Sequence, residues 1–208
     1  MKGRIRDISQ ALHPGLPVWP GDTPFSQART WQMEDGSSVN VSALTLSTHS
    51  GAHADAPLHY AADAPDIASV DLAPYVGECL VVDARGAGAM IEIDDLPPLH
   101  GADRVLFRSF DCFPRAEWQD DATALAPETI EWLGAQGVRL VGIDGPSLDP
   151  QDSQDMLAHK AVLKHDMRVL EGLVLDGVEE GRYELIALPL PIVGGDASPV
   201  RAVLRDLA

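Results

Sequence analysis

Residues 47–60, STHSGAHADAPLHY, bring three of the chain's seven histidines and one aspartate within eleven residues of each other. These side chains are His49, His53, Asp55 and His59, and mostly small residues separate them. Imidazole nitrogens and carboxylate oxygens are ligands that suit zinc, and also manganese or iron. A set of hydrogen-bonded histidines in a polar loop is the alternative, but four such groups at this spacing favour a metal site.

The spacing also indicates which kind of element carries these four residues. On a helix, where each residue advances by about 100°, His53 would lie about 40° from His49. Asp55 and His59 would then lie on the opposite face. On an extended chain the side chains alternate, and all four positions are odd, so all four would point to one side. The pattern therefore predicts an extended segment at the end of a strand that runs into a loop.

Two further residues could complete a metal site. His159 lies mid-helix in DMLAHKAVLKHD, and Glu171 interrupts the apolar strand RVLEGLVL. Val169 and Leu173 would share the face of Glu171, and a buried carboxylate without a partner is costly, so it requires a cation or a proton. An ion pair of Glu171 with Arg168, and a plain core or surface role for His159, are the alternatives.

The rest of the chain predicts a single mixed α/β domain over residues 1–208, because its length fits one domain and no segment has the composition of a linker. Helices are predicted at 127–137 and 152–166, the second with Ser153 as N-cap and Met156, Leu157 and Ala161 on one face. A strand, helix, strand order over 104–144 predicts a parallel crossover. Strands are predicted at 4–9, 41–49, 79–85, 104–109, 138–144, 167–175, 183–190 and 199–207.

Composition narrows the classes of partner. The chain has 32 acidic and 15 basic residues and a formal net charge of −17, which argues against nucleic acid and anionic membranes as partners. Its two cysteines, Cys79 in an apolar run and Cys112 in a predicted loop, make no disulfide framework. Neither a signal peptide nor a membrane-spanning run is evident, so we expect a cytoplasmic protein.

The histidine segment resembles a known pattern. HSGAHADAPLHY is similar to the H-x-G-x-H-x-D-x-P-x-H motif of the cyclase-like metal-dependent hydrolases, and within them to the bacterial kynurenine formamidases, also called arylformamidases. The resemblance extends along most of the chain. It includes PVWPGD at 17–22, GIDGPSLDPQDS at 142–153, the regions of His159 and Glu171, and PLPIVGGDASPVRAVL at 189–204.

The resemblance implies a site for two divalent metal ions in each subunit, zinc or alternatively manganese. His49, His53 and Asp55 would hold one ion. Asp55 would bridge to the second ion, which His159 and Glu171 would also hold. Two neighbouring ions of this kind supply hydroxide at neutral pH and polarise a carbonyl group, which is the chemistry that amide hydrolysis requires.

The resemblance also implies the reaction, the remaining site residues and the architecture. The reaction would be hydrolysis of N-formyl-L-kynurenine to L-kynurenine and formate in tryptophan breakdown, with His59 as catalytic acid and base and Trp19 lining the substrate pocket. The implied fold is a barrel-like mixed β core with packed helices, of the swivelling β/β/α type. The implied assembly is a homodimer whose only other partner is a small-molecule substrate.

Several alternatives remain at the level of sequence. A sister hydrolase acting on isatin or a cyclic imide would keep the metal site and change only the pocket. A mononuclear oxygenase on a β-barrel would bind one metal and leave Glu171 without a role. A non-enzymatic metal-binding protein would use His59 as a ligand and leave no position for water. Neither the G-x-S-x-G motif of serine hydrolases nor the H-E-x-x-H motif of zinc proteases occurs.

Overall fold

The structure is a computed structural model that describes residues 3–207. It has two α-helices, α1 (Pro127–Ala135) and α2 (Leu157–Lys164). Its strands are β1 (Ile5–Asp7), β2 (Ser26–Trp31), β3 (Val41–Thr45), β4 (His53–Asp55), β5 (Val76–Asp83), β6 (Met90–Ile91), β7 (Arg104–Arg108), β8 (Ala124–Leu125), β9 (Leu140–Ile143), β10 (Arg168–Glu171), β11 (Gly181–Ile186), β12 (Ala197–Pro199) and β13 (Val203–Asp206). Within the described range, neither helix has the length and hydropathy needed to cross a membrane.

Nine of these strands form one mixed sheet, in the order β1-β13-β11-β5-β7-β9-β10-β4-β12. The four strands β5, β7, β9 and β10 run parallel, and antiparallel strands continue the sheet on both sides. The predicted mixed α/β class is therefore confirmed. The predicted parallel crossover is confirmed as well, since β7, α1 and β9 follow each other and β7 pairs in parallel with β9.

Alternation along the central strands builds a core on each face of the sheet. Val81 and Leu106 belong to one buried cluster, while Val82 and Phe107, their chain neighbours, belong to the other. Helices α1 and α2 contribute Ile130, Leu133 and Val162 to the second cluster. Parallel strands covered on both faces are characteristically apolar throughout, which explains why these segments are recognisable from sequence.

The start of the second helix differs from the prediction. Helix α2 begins at Leu157, and Ser153 does not cap it, because Met156 adopts a left-handed backbone conformation (φ 49°, ψ 52°) that separates the two segments. Leu157 is 51% exposed, so its predicted place on the buried face is wrong. The buried face instead carries Ala158, His159, Ala161 and Val162.

Several predicted strands also have different bounds, and those predicted at 167–175 and 183–190 end at Glu171 and Ile186. The strand predicted at 41–49 ends at Thr45. The one predicted at 199–207 contains only Pro199 of β12 together with all of β13, and these two strands lie at opposite sides of the sheet. β2, which pairs with β3 in an exposed hairpin, was not predicted. Its side chains are exposed on both faces, so no alternation of apolar and polar residues marks it.

Candidate metal centre and active-site pocket

Strand pairing brings Glu171 to the histidine segment. In the antiparallel pair of β10 and β4, Glu171 lies directly opposite His53 and Val169 lies opposite Asp55. Residues that lie opposite each other share a face, and so do residues two apart on one strand. His53 Nε2 is consequently 3.4 Å from Glu171 Oε2 and 3.4 Å from Asp55 Oδ1. The three side chains are buried.

Two turns bring His49 and His59 to the same place. His49 Nδ1 lies 3.1 Å from Asp55 Oδ1, and the rings of His49 and His59 have centroids 4.3 Å apart. The predicted convergence of the four residues is therefore observed. A continuous extended segment from 49 to 59 is wrong, because Gly51 is left-handed (φ 66°) and Pro57 opens a short 3-10 helix that ends at His59.

His159 enters from the buried face of α2. Its Nε2 is 3.3 Å from Asp55 Oδ2 and 3.4 Å from Glu171 Oε1. Its Nδ1 lies 2.6 Å from Asp149 Oδ2, and Asp149 also accepts the backbone N–H groups of Ala158 and His159. One buried carboxylate therefore caps α2 and orients its histidine, as is common for metal-binding histidines.

Sequence reasoning missed Asp149. The only local signal is an acidic residue shortly before a helix, which is where helix N-caps are expected. The contact with the imidazole of His159 depends on the loop between β9 and α2, and no periodicity encodes that loop. The Arg168 alternative for Glu171 is not realised, because Arg168 pairs with Asp166. Glu171 accepts instead the backbone N–H of Leu148 at 2.7 Å.

The donor set fits a metal ion on direct structural grounds. His53 Nδ1 lies 2.9 Å from the carbonyl oxygen of Gly51 and must donate to it, so the lone pair of the neutral ring is on Nε2. Within residues 3–207, His53 Nε2 and Asp55 Oδ1 are buried and have no hydrogen-bond partner. Buried polar atoms are normally satisfied, and two adjacent unsatisfied acceptors suit a cation.

The electrostatics support the same conclusion. Burial alone would lower the pKa of His49. The neighbouring carboxylates of Asp55 and Asp196 outweigh this effect and raise the pKa to about 9. Burial also opposes the charge on His159, yet its carboxylate neighbours Asp149 and Asp55 raise its pKa well above the usual range. Burial would raise the pKa of Asp55, but the nearby imidazoles of His159 and His49 hold it well below normal. The buried carboxylates thus stabilise positive charge on the groups around them. A divalent cation bound between them would supply such charge.

Asp55 is shared between two groups of possible ligands. One group is His49, Asp55 and His59, and the other is His53, Asp55 and Glu171, with the ligand atoms of each group within 4.8 Å of one another. Glu171 faces both His53 and His159, at 3.4 Å in each case. Each sequence-predicted ligand therefore lies in one continuous cluster around Asp55.

Asp196, which the sequence did not single out, joins the outer side of this cluster. Its Oδ2 lies 3.1 Å from His49 Nε2 and 3.6 Å from His59 Nδ1, and its Oδ1 accepts the hydroxyl of Thr48 at 2.9 Å. The residue lies just before β12, in the stretch VGGDASP. Burial lowers the pKa of His59, which leaves its partly exposed ring neutral near pH 7.

A cavity of about 330 Å³ opens over the cluster and is lined by His49, His53, His59 and Glu171. Trp19, predicted to line a substrate pocket, lies on its wall and is 36% exposed. A second indole was not predicted. Trp118 lines the same cavity and contacts Trp19 edge to face, with ring centroids 5.5 Å apart. The cavity therefore joins a polar floor to an aromatic wall, the arrangement usual for small-molecule sites.

Comparison with known proteins is consistent with this geometry. A family model named Cyclase matches residues 6–150. The chain is 64% identical over 204 residues to a kynurenine formamidase of Erythrobacter litoralis, covering 98% of this chain and 94% of the relative. It is 57% identical over 206 residues to a kynurenine formamidase of Maricaulis maris, covering 98% and 99%.

Solved structures share the fold. One described as a potential metal-dependent hydrolase with cyclase activity superposes with a TM-score of 0.84 at 29% identity, covering 99% of this chain and 98% of the other. An isatin hydrolase from Labrenzia aggregata superposes with a TM-score of 0.84 at 23% identity, covering 99% and 94%. At that identity the isatin hydrolase supports the fold alone, so it does not favour isatin as a substrate.

Proposed function

The chain belongs to the cyclase family, and from this premise we propose that it hydrolyses N-formyl-L-kynurenine to L-kynurenine and formate. Relatives named kynurenine formamidase match nearly the whole chain at 57% and 64% identity. The observation that carries the proposal is the pair of unsatisfied buried acceptors, His53 Nε2 and Asp55 Oδ1, beneath an aromatic-walled cavity. It combines a site for a Lewis acid with space for an aryl amide.

The chain binds divalent metal, and we propose two ions per subunit, zinc or alternatively manganese. His49, His53 and Asp55 would hold one, and Asp55, His159 and Glu171 the other. Support comes from Asp55, which belongs both to the observed group with His49 and His59 and to the one with His53 and Glu171. His159 Nε2 adds contacts with Asp55 Oδ2 at 3.3 Å and with Glu171 Oε1 at 3.4 Å. When bound, such ions activate water for attack and polarise the formyl carbonyl oxygen. The mixed nitrogen and oxygen donors suit zinc.

Within this proposal His59 moves the protons. Its Nδ1 faces Asp196 at 3.6 Å, which leaves Nε2 as the ring nitrogen available for exchange with substrate. Hydrolysis needs a base when water attacks and an acid when the aniline nitrogen departs, and one neutral imidazole can perform both steps in turn. Asp196 would hold the ring in orientation, while His59 stays partly exposed on the cavity wall.

The apolar part of the cavity would bind the substrate ring. The indole of Trp19 lines the cavity that also contains His59, and Pro17 and Pro146 line the same space. An aryl formamide placed there would bring its formyl group toward the polar floor formed by His53 and Glu171. The volume of about 330 Å³ is in the range of pockets for small organic ligands.

The wider expectations belong to the same proposal. One catalytic domain would extend over residues 1–208, in a cytoplasmic homodimer. Support for an interface comes from Trp31, Met33 and Leu44, which are exposed on the β2–β3 hairpin. Light scattering of the purified protein tests the dimer, with twice the chain mass as the expected result.

A direct comparison of substrates tests the function. Purified protein is assayed with N-formyl-L-kynurenine and, separately, with isatin, and kynurenine, formate and isatinate are quantified. We expect stoichiometric kynurenine and formate, and turnover of isatin lower by orders of magnitude. Ring opening of isatin without kynurenine release would leave the metal site in place and refute the substrate.

A further inference from the structure

We propose that Trp118 determines specificity for the aryl group of the substrate, by forming part of the wall between the active-site pocket and a smaller neighbouring cavity. The inference rests on the proposed function, because it specifies which part of that pocket receives the ring. Trp118 lies in the irregular segment between β7 and β8, far in sequence from the histidine cluster. Its indole nevertheless lines the same cavity as His59 and Glu171.

Two contacts hold the Trp118 indole in position. Its Nε1–H donates to Gln151 Oε1 at 2.5 Å, and its ring meets that of Trp19 at an interplanar angle of 75°. Edge-to-face contact at this separation is a favourable aromatic geometry. Trp118 is half-buried, whereas Trp19 is 36% exposed, so Trp118 is the more enclosed member of the pair.

The segment that carries Trp118 is anchored before it reaches the pocket. Asp144, buried at the end of β9, accepts the backbone N–H groups of Ser109 and Phe110. Further along, the backbone N–H of Phe113 donates to Asp176 at 2.8 Å. These bonds hold an otherwise irregular segment against the sheet, so the indole is part of a preorganised wall.

A second, smaller cavity shares part of its wall with the active-site pocket, namely Gln10, Pro17, Trp118, Pro146 and Gly172. Its volume is about 50 Å³, and Phe110, Phe113 and Pro114 form much of its wall. Trp118 lines both this space and the cavity of about 330 Å³ over the metal-type cluster. Trp118 has the largest side chain of these five shared residues, so its indole is the main part of the partition that limits how far an aryl group can extend from the formyl group.

This partition favours a single flat ring and excludes larger ones. The ring of an N-formylaniline would contact the two indoles, while a fused second ring would need the space that Trp118 occupies. Removing the indole should weaken binding of the small ring, because a pocket wall and an aromatic contact are lost. It should also admit larger aryl formamides, because the largest side chain of the wall shared by the two cavities would be removed.

The test compares Trp118→Ala and Trp118→Phe with the unchanged protein on three substrates, which are N-formyl-L-kynurenine, formanilide and 1-formamidonaphthalene. For Trp118→Ala we expect KM for the first two to rise about tenfold with a smaller change in kcat. We expect the kcat/KM ratio of the naphthyl substrate to formanilide to rise at least tenfold. Trp118→Phe should fall between Trp118→Ala and the unchanged protein.

Trp132→Ala is the matched control, because Trp132 is a half-buried indole on α1 that lines neither cavity. It should leave the substrate ratio unchanged. Melting temperatures are recorded for all variants. If Trp118→Ala fails to fold, Gln151→Ala, which releases the indole N–H, should shift the ratio in the same direction.

Unchanged KM and an unchanged substrate ratio in folded Trp118 variants would overturn the inference while leaving the proposed function intact. Absence of kynurenine release by the unchanged protein would instead refute the proposed function. In that case hydrolysis of the other two formamides still decides whether Trp118 selects by ring size.

Discussion

Replacing Asp149 with asparagine should weaken metal binding and protein stability together. The buried carboxylate of Asp149 accepts His159 Nδ1 at 2.6 Å, the backbone N–H of His159 at 3.1 Å, and that of Ala158 at 2.9 Å. The first two bonds reach Oδ2 and the third reaches Oδ1. The substituted amide has only one acceptor oxygen, so it cannot serve both sides.

The size of each effect follows from these contacts. With its oxygen turned toward His159, the amide leaves the buried N–H of Ala158 unpaired, which costs about 1–3 kcal/mol in free energy of unfolding. The imidazole of His159 also loses a charged partner. Loss of such a partner typically reduces metal affinity by about 10–100-fold, or about 1.4–2.8 kcal/mol.

Two assays separate these effects. Urea titration of the metal-free protein measures stability, and competition with a chromophoric chelator measures metal affinity. Asp152→Asn is the matched control, because Asp152 is exposed in the same loop, and it should change neither quantity. Unchanged metal affinity in Asp149→Asn would refute the role of Asp149 in orienting His159.

Three further predictions concern single side chains. The His59→Asn variant should bind as much metal as the unchanged protein, while its kcat should fall by about 10²–10⁴-fold. Normal turnover by this variant would exclude proton transfer by His59. Burial raises the pKa of the Cys79 thiol to about 12, so this thiol stays protonated at pH 8. A disulfide reagent should therefore label only the exposed Cys112 until the chain unfolds. Rapid labelling of both thiols would contradict this. Gly172 has a left-handed backbone (φ +64°), and a Cβ added by Gly172→Ala would lie 2.6 Å from a backbone oxygen. The substitution should lower the free energy of unfolding, measured by urea titration, by about 2–5 kcal/mol. Gly177→Ala, at φ +67° but with no atom within 4 Å, should cost less, and equal losses would refute the steric argument.

The sequence predicted most residues of the cluster around Asp55 because their signals are local. His49, His53, Asp55 and His59 fall in one short segment, and Glu171 is conspicuous as a charge in an apolar strand. The register of β4 against β10 then places Glu171 opposite His53. The predicted central strands are all present, although the one predicted at 167–175 ends at Glu171, since burial on both sheet faces makes them continuously apolar.

The residues that the sequence did not reveal depend on irregular backbone. Asp149, Asp196 and Trp118 lie in loops, and contacts with residues distant in the chain define their roles. The start of α2 was misplaced for a related reason. Its cap, Asp149, lies several residues before the helix, and the left-handed turn at Met156 carries no propensity signal.

The most direct test of the central claim is a metal titration of the chelator-treated protein during turnover of N-formyl-L-kynurenine. Kynurenine release is recorded against zinc added per chain, with manganese in a parallel series. We predict negligible activity without metal and a rise that saturates at two equivalents. Full activity in the metal-free protein, or no kynurenine at any metal loading, would contradict metal-dependent formamide hydrolysis at the cluster around Asp55.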